Sequence, residues 1–152
     1  MRPIGLRAEL LLDSRIEEIA CAREWLKELT SAEGVLDNDV SDLGLAMSEA
    51  CANVIEHAYR GQPGNPIKLR LNIDETDLVL TIHDHGEKFD PESYAPPELG
   101  EPHESGYGVF FVLSLMDKVH YDTSAERGTT LTLIKRRSNP HNRNPAIRED
   151  DI

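Results

Sequence analysis

Residues 43–59, LGLAMSEACANVIEHAY, decide how the chain is read. At about 100° per residue, Leu43, Met47, Ala50, Cys51, Val54, Ile55 and Ala58 fall on one side of a helix. Asp42, Glu49, Asn53, Glu56, His57 and Arg60 fall on the other. The spacing predicts an amphipathic helix opened by Asn38 or Ser41 and stopped near Gly61. Glu49 and Asn53 are four residues apart, so their side chains stand one turn apart, with His57 one turn further on. A solvated surface accounts for such a stripe taken alone. Whether it belongs to a site depends on what the rest of the chain brings to it.

Toward the N-terminus, Ile16, Ile19, Ala20, Trp25, Leu26 and Leu29 mark another helix, from about 16 to 29. Asp13 or Ser14 is the expected cap, Glu17 and Glu18 suit its positive end, and Gly34 ends the segment. Before it, IGLRAELLL (4–12) partly alternates and predicts a strand, one able to form an exposed edge. On the other side, GQPGNP (61–66) is a turn cluster. Ile67, Leu69, Leu71 and Ile73 alternate with Lys68, Arg70 and Asn72, and Leu78, Leu80 and Ile82 repeat the pattern after a polar turn at 74–77. The two runs predict a hairpin. Residues 92–105, with Pro96, Pro97, Gly100 and Pro102, have no period and predict a loop. A short apolar helix, VFFVLSLMDKV (109–119), follows, then strands at about 119–122 and 129–135 around a turn at 124–128.

Because the later strands are linked by hairpins, this order predicts an α+β fold. The expected form is a two-layer α/β sandwich, with a mixed, mostly antiparallel sheet and helices on one face. One domain would take residues 1–137, and the polar stretch 138–152, with two Asn-Pro steps, would be a disordered tail.

The totals narrow the function. A chain of 152 residues, 39% hydrophobic and 29% charged, suits one soluble domain. No apolar run is long enough for a membrane helix or a secretory signal. Cys21 and Cys51 lie in helical patterns, which predicts two buried thiols in a reducing, cytoplasmic setting, and no C-x-x-C pair supports structural zinc. A net charge of −12 argues against general nucleic-acid binding. It leaves nucleotides open, since backbone N–H groups and a metal ion can hold phosphates, and it favours a basic protein partner.

Two further elements can carry chemistry. Asp84 stands where a strand ends, with Gly86 two residues on. A carboxylate there can accept from an exocyclic amine such as adenine N6, and a glycine lets a flat ring approach, although an Asp-x-Gly turn needs neither. Gly106 and Gly108 precede an apolar helix and expose N–H groups at its positive end, a possible phosphate cradle. No GK[ST] follows and no βαβ unit surrounds them, so neither the Walker nor the Rossmann loop is present. The loop between the two glycine elements would then act as a lid. His83 and His85 share a strand face but lack a third metal ligand at a suitable spacing.

In order, the chain shows E-x-x-x-N on a helix, a hairpin ending in D-x-G, a loop, G-x-G opening a helix, and a hairpin with Gly128-Thr129-Thr130. That set resembles the Bergerat, or GHKL, ATP-binding fold of type II topoisomerases, heat-shock chaperones, histidine kinases and mismatch-repair ATPases. Within it, SEACANVIEHAY (48–59), DHGEKFDP (84–91), GYGVFFVLSLMDKV (106–119) and GTTLTL (128–133) are most similar to the anti-sigma factor serine/threonine kinases of bacterial partner-switching systems. The resemblance implies a cytoplasmic Mg-ATP-dependent protein serine/threonine kinase and covers about residues 6–135.

By that resemblance, Asn53 holds Mg²⁺ bridging the ATP phosphates, and Glu49 is the general base for the attacking hydroxyl. Asp84 holds the adenine amine beside Gly86. Gly106, Tyr107, Gly108 and Val109 meet the phosphates, and Thr129 or Thr130 adds a hydroxyl near the adenine. His57 would line the nucleotide site in place of a basic residue common in histidine kinases, where this chain has Glu56. Lys88 replaces the second glycine of the D-x-G-x-G form. A complete histidine kinase is disfavoured, since no phosphoacceptor hairpin precedes the domain. The implied partners are an anti-sigma-factor antagonist as substrate, a sigma factor to sequester, and a second copy of the chain in a homodimer, with neither nucleic acid nor membrane. The alternative is a nucleotide-gated binding regulator with little or no kinase activity.

Overall fold

The computed structural model describes residues 5–88 and 114–138. Strand β1 (Leu6–Asp13) leads through α1 (Glu18–Ala32) and α2 (Asp37–Asn53) to a π-helical turn, Val54–Ala58. Then come β2 (Pro66–Ile73), β3 (Asp77–Asp84), β4 (Lys118–Asp122) and β5 (Thr130–Arg136). The five strands form one sheet in the order β1-β2-β3-β5-β4, every neighbouring pair antiparallel.

Alternation explains the sheet. Ile67, Leu69, Leu71 and Ile73 on β2 and Leu78, Leu80 and Ile82 on β3 turn to one face and are buried. Leu131 and Leu133 extend that face on β5. Each such side chain contributes about 1.5–3 kcal/mol on burial. Ala22 and Leu26 of α1, with Leu43, Met47, Ala50 and Cys51 of α2, join the same core, so both helices cover one face. The opposite face is polar: Glu9 lies between Lys68 (3.4 Å) and Arg70 (2.9 Å). Leu11, opposite Lys68 in the register, is on that outer face and 69% exposed, which is why β1 only partly alternates. Among the described residues β1 pairs with β2 alone and is a sheet edge, as its sequence suggests.

Several local expectations are corrected. Ser14 does not cap α1, which starts at Glu18. Its hydroxyl donates to Gln62 O (2.6 Å) and accepts from Asn65 N–H (3.1 Å), pinning the 61–66 turn beneath the end of β1. Asp13 joins it there, accepting from Gly64 N–H and pairing with Arg15. Helix α2 begins at Asp37 without a side-chain cap; neither Asn38 nor Ser41 serves. Its buried Asp39 instead accepts from the N–H (2.7 Å) and hydroxyl (2.9 Å) of Ser138. Cys21 is exposed, because its position on α1 turns away from the core, whereas Cys51 is buried and its thiol is pushed up to about 12 by desolvation. Ser114 and Leu115 are helical; the rest of the expected apolar helix, the loop at 92–105 and the tail beyond 138 lie outside the described residues.

Candidate functional site

The site is built from two segments that the sheet order brings together: the end of α2 and the turn after β3. The apolar side of α2 is buried as its periodicity requires. On the polar side Glu49 is exposed and Asn53 half-buried. The helix then changes form. Tyr59 N–H bonds to Val54 O (3.0 Å), five residues back, so Val54–Ala58 is a π turn. The α-helical spacing that aligned His57 with Glu49 and Asn53 therefore does not hold beyond Asn53. His57 is half-buried, with its Nε2 3.8 Å from the Glu56 carboxylate. Such turns are frequent at functional sites.

Asp84 is the last residue of β3 and continues the buried row Leu78, Leu80, Ile82. It is only 2% exposed. Its Oδ1 accepts from Gly86 N–H at 2.9 Å, and its own N–H donates to Thr129 O at 3.1 Å. Burial pushes its carboxyl above the usual carboxylate range, partly offset by Gly86 N–H, His83, Thr129 N–H and His85. Such a carboxylate, with little water around it, favours a ligand that donates a hydrogen bond.

Glycines let the surrounding backbone approach. A Cβ on Gly86 would collide with the carbonyl of Ala58 and lie 2.8 Å from its Cβ. The visible demand on Gly86 is thus contact with the π turn. Gly128 (φ 84°) lies against the Asp84 carbonyl and His85 Cα, which brings the start of β5 to the end of β3. Thr129 is buried beside Asp84. Thr130 is on the outer face, its Oγ1 2.7 Å from His83 Nδ1. The His83 and His85 rings meet edge to face at 4.6 Å.

The two halves are joined directly. Glu87 N–H donates to Ala58 O (2.9 Å), and His85 N–H donates to the Tyr59 hydroxyl (2.8 Å). Arg60 pairs with Glu87 at 2.6 Å across an exposed surface. The turn holding Asp84 is therefore fastened to the end of the helix that presents Glu49 and Asn53. Gly106, Tyr107, Gly108 and Val109 lie outside the described residues. Tyr59, absent from the expected site, is 8% exposed, and its hydroxyl bonds to Pro66 at the start of β2 and to His85 in the turn after β3. Its place at the end of an apolar stripe, just before Arg60-Gly61, was the available signal.

The sequence profile of the Histidine kinase-like ATPase domain matches residues 12–135. The chain belongs to that family. Its relatives within the family include the serine-protein kinase RsbW of Listeria innocua serovar 6a, 32% identical over 123 residues, or 74% of this chain and 78% of the relative. RsbW of Bacillus subtilis strain 168 is 27% identical over 135 residues, covering 84% and 83%. The crystal structure of the RsbU and RsbW domains of Rv1364c from Mycobacterium tuberculosis has the same fold, with a TM-score of 0.67 at 21% identity. It covers 89% of this chain, which spans 33% of that longer one. The expected α+β ATPase fold and the placement among anti-sigma factor kinases of the GHKL superfamily are borne out. Among the described residues, no helix of this ATPase domain is long and apolar enough to cross a membrane.

Proposed function

We propose that this chain is a Mg-ATP-dependent protein serine/threonine kinase that phosphorylates a small anti-sigma-factor antagonist in the cytoplasm. In its other state it would sequester a sigma factor by partner switching. The observation that carries this reading is the buried Asp84 carboxylate, tied through Ala58, Tyr59 and Arg60 to the helix presenting Glu49 and Asn53. The residues fit the ligand chemistry. Asp84 offers a desolvated acceptor to an exocyclic amine, and the Asn53 amide offers a hard oxygen of the kind Mg²⁺ takes. When bound, Mg-ATP supplies the phosphoryl group and neutralises its charge.

Glu49, exposed one turn before Asn53, is the assigned general base. It would take the proton of the acceptor hydroxyl as that oxygen bonds to the γ-phosphorus of bound ATP and the bond to the ADP leaving group breaks. Positioning and charge neutralisation dominate such transfers, and a placed base adds about 10²–10⁴-fold. Thr129 is the better placed of the two threonines, being beside Asp84. The exposed edge β1, with Leu11 at 69% and nearby Ile16 at 56% exposure, supports a homodimer through the N-terminal strand and α1 region.

The test is transfer of label from γ-labelled ATP to a cognate antagonist protein. Wild type should label it, and Glu49→Gln should bind ATP normally while transferring phosphate at least 100-fold more slowly, roughly the share of a general base. Equal transfer by the variant removes the base assignment. ATP binding with no phosphoprotein under any partner condition would leave a nucleotide-gated binding regulator.

A further inference from the structure

The Tyr59 hydroxyl spans three segments of chain. It donates to the carbonyl of Pro66, the first residue of β2, at 2.6 Å, and accepts from His85 N–H at 2.8 Å. The ring is buried. Burial and the nearby Asp84 charge push the hydroxyl above its usual range, while the His85 N–H works the other way. It therefore stays protonated and donates at neutral pH.

The bond to His85 acts on Asp84. A peptide unit is planar, so holding the His85 N–H fixes the plane that also contains the Asp84 carbonyl. Rotation about the Cα–C bond of Asp84 is thereby set. On its other side Asp84 is held by its N–H on Thr129 O, and its side chain by Gly86 N–H. These three bonds, with the Thr129 N–H that also faces the carboxylate, leave it little freedom to turn. Only the one from Tyr59 comes from a side chain, and that side chain directly follows the π turn of the Glu49–Asn53 helix.

We infer that Tyr59 is a positioning residue of the nucleotide site, aiming the Asp84 carboxylate at the purine amine by pinning the Asp84–His85 peptide. This rests on the reading of Asp84 as the adenine acceptor. Phenylalanine at 59 keeps the packing and removes both hydrogen bonds. The carboxylate loses its aim, so the loss falls on ligands it recognises. Adenine offers it an amine, whereas guanine offers a carbonyl at the same place.

The test compares ADP and GDP affinities of wild type and Tyr59→Phe by calorimetry or competition, with phosphoryl transfer measured at saturating ATP. ADP binding should weaken about tenfold, the worth of one good hydrogen bond, with GDP within about twofold. KM for ATP should rise with kcat nearly unchanged. Equal weakening of ADP and GDP, or no change in either, overturns the inference while leaving the nucleotide site intact. Failure of wild type to prefer ADP over GDP removes the Asp84 reading itself, and this inference with it. A second measurement needs no variant: the His85 amide of wild type should exchange with deuterium at least about tenfold more slowly than an exposed amide, because an opening step must precede exchange. Exchange as fast as at exposed Lys88 overturns the inference.

Discussion

Gly86 rests on Ala58 so closely that a Cβ at position 86 would lie 2.6 Å from the Ala58 carbonyl carbon. The obstruction is backbone, which cannot swing aside like a side chain. Gly86→Ala must displace either the turn after β3 or the end of the π turn, and Glu87 N–H would lose its register on Ala58 O. We expect a loss of about 1–3 kcal/mol in urea unfolding, the usual penalty for overpacking. Nucleotide affinity should fall further than that strain explains, since Asp84 moves with the turn.

Asp84→Asn should separate stability from binding. The native carboxyl is raised by burial, so the folded protein holds its proton more tightly than the unfolded chain does. Stability linked to this group is complete below the unfolded carboxylate value and is lost as pH rises through the raised native one. At neutral pH the charge therefore opposes folding. Asparagine removes the charge and keeps an acceptor for Gly86 N–H. The variant should be at least as stable as wild type at pH 7, and the difference should shrink on acidification. ADP affinity should drop about 10–100-fold, as when a buried polar pair is broken. Thermal unfolding across pH, with calorimetric titration, checks both.

Asp39→Ala should destabilise through a contact 99 residues away in sequence. It removes the acceptor for both polar hydrogens of Ser138 and so releases the chain that follows β5 from the first turn of α2. The expected cost is about 1–3 kcal/mol. Ser138→Ala, which loses only the hydroxyl bond, should cost less; a melting comparison of the two distinguishes backbone anchoring from the hydroxyl.

The β2–β3 turn carries an opposite pH signature. Asp74 accepts from Thr76 N–H and Asp77 N–H, each at 2.7 Å, and from the Thr76 hydroxyl. These bonds, Asp77 first, hold its carboxyl below the usual range. Its contribution is present above the unfolded carboxylate value and lost as pH falls through the lowered native one. Asp74→Ala should cost about 0.5–1 kcal/mol at pH 7, given screening at an exposed turn. The gap from wild type should close in acid, as read by denaturant titration at several pH values.

What could be read from residue order depended on the range of the forces involved. Alternation along 67–82 located β2 and β3 almost to the residue, because side-chain direction in a strand is strictly local. The apolar stripe of α2 was equally plain, as was the association of Asp84 with Gly86. Ser14 was misjudged because its partners, Gln62 and Asn65, are far along the chain, and a hydroxyl before a helix looks the same whether it caps or pins. The π turn was invisible to a test that assumes one angular step per residue. Tyr59 drew no role from its sequence, since nothing local reveals which backbone group a buried hydroxyl will meet.

The bonds from Ala58, Tyr59 and Arg60 to residues 85 and 87 have a thermodynamic corollary. A protein that grips α2 differently in its ADP-bound and ATP-bound forms must alter the relative hold on the two nucleotides by the same factor, because linkage is reciprocal. Clasping the helix would then act as a lever on nucleotide exchange, without the visiting protein touching the purine.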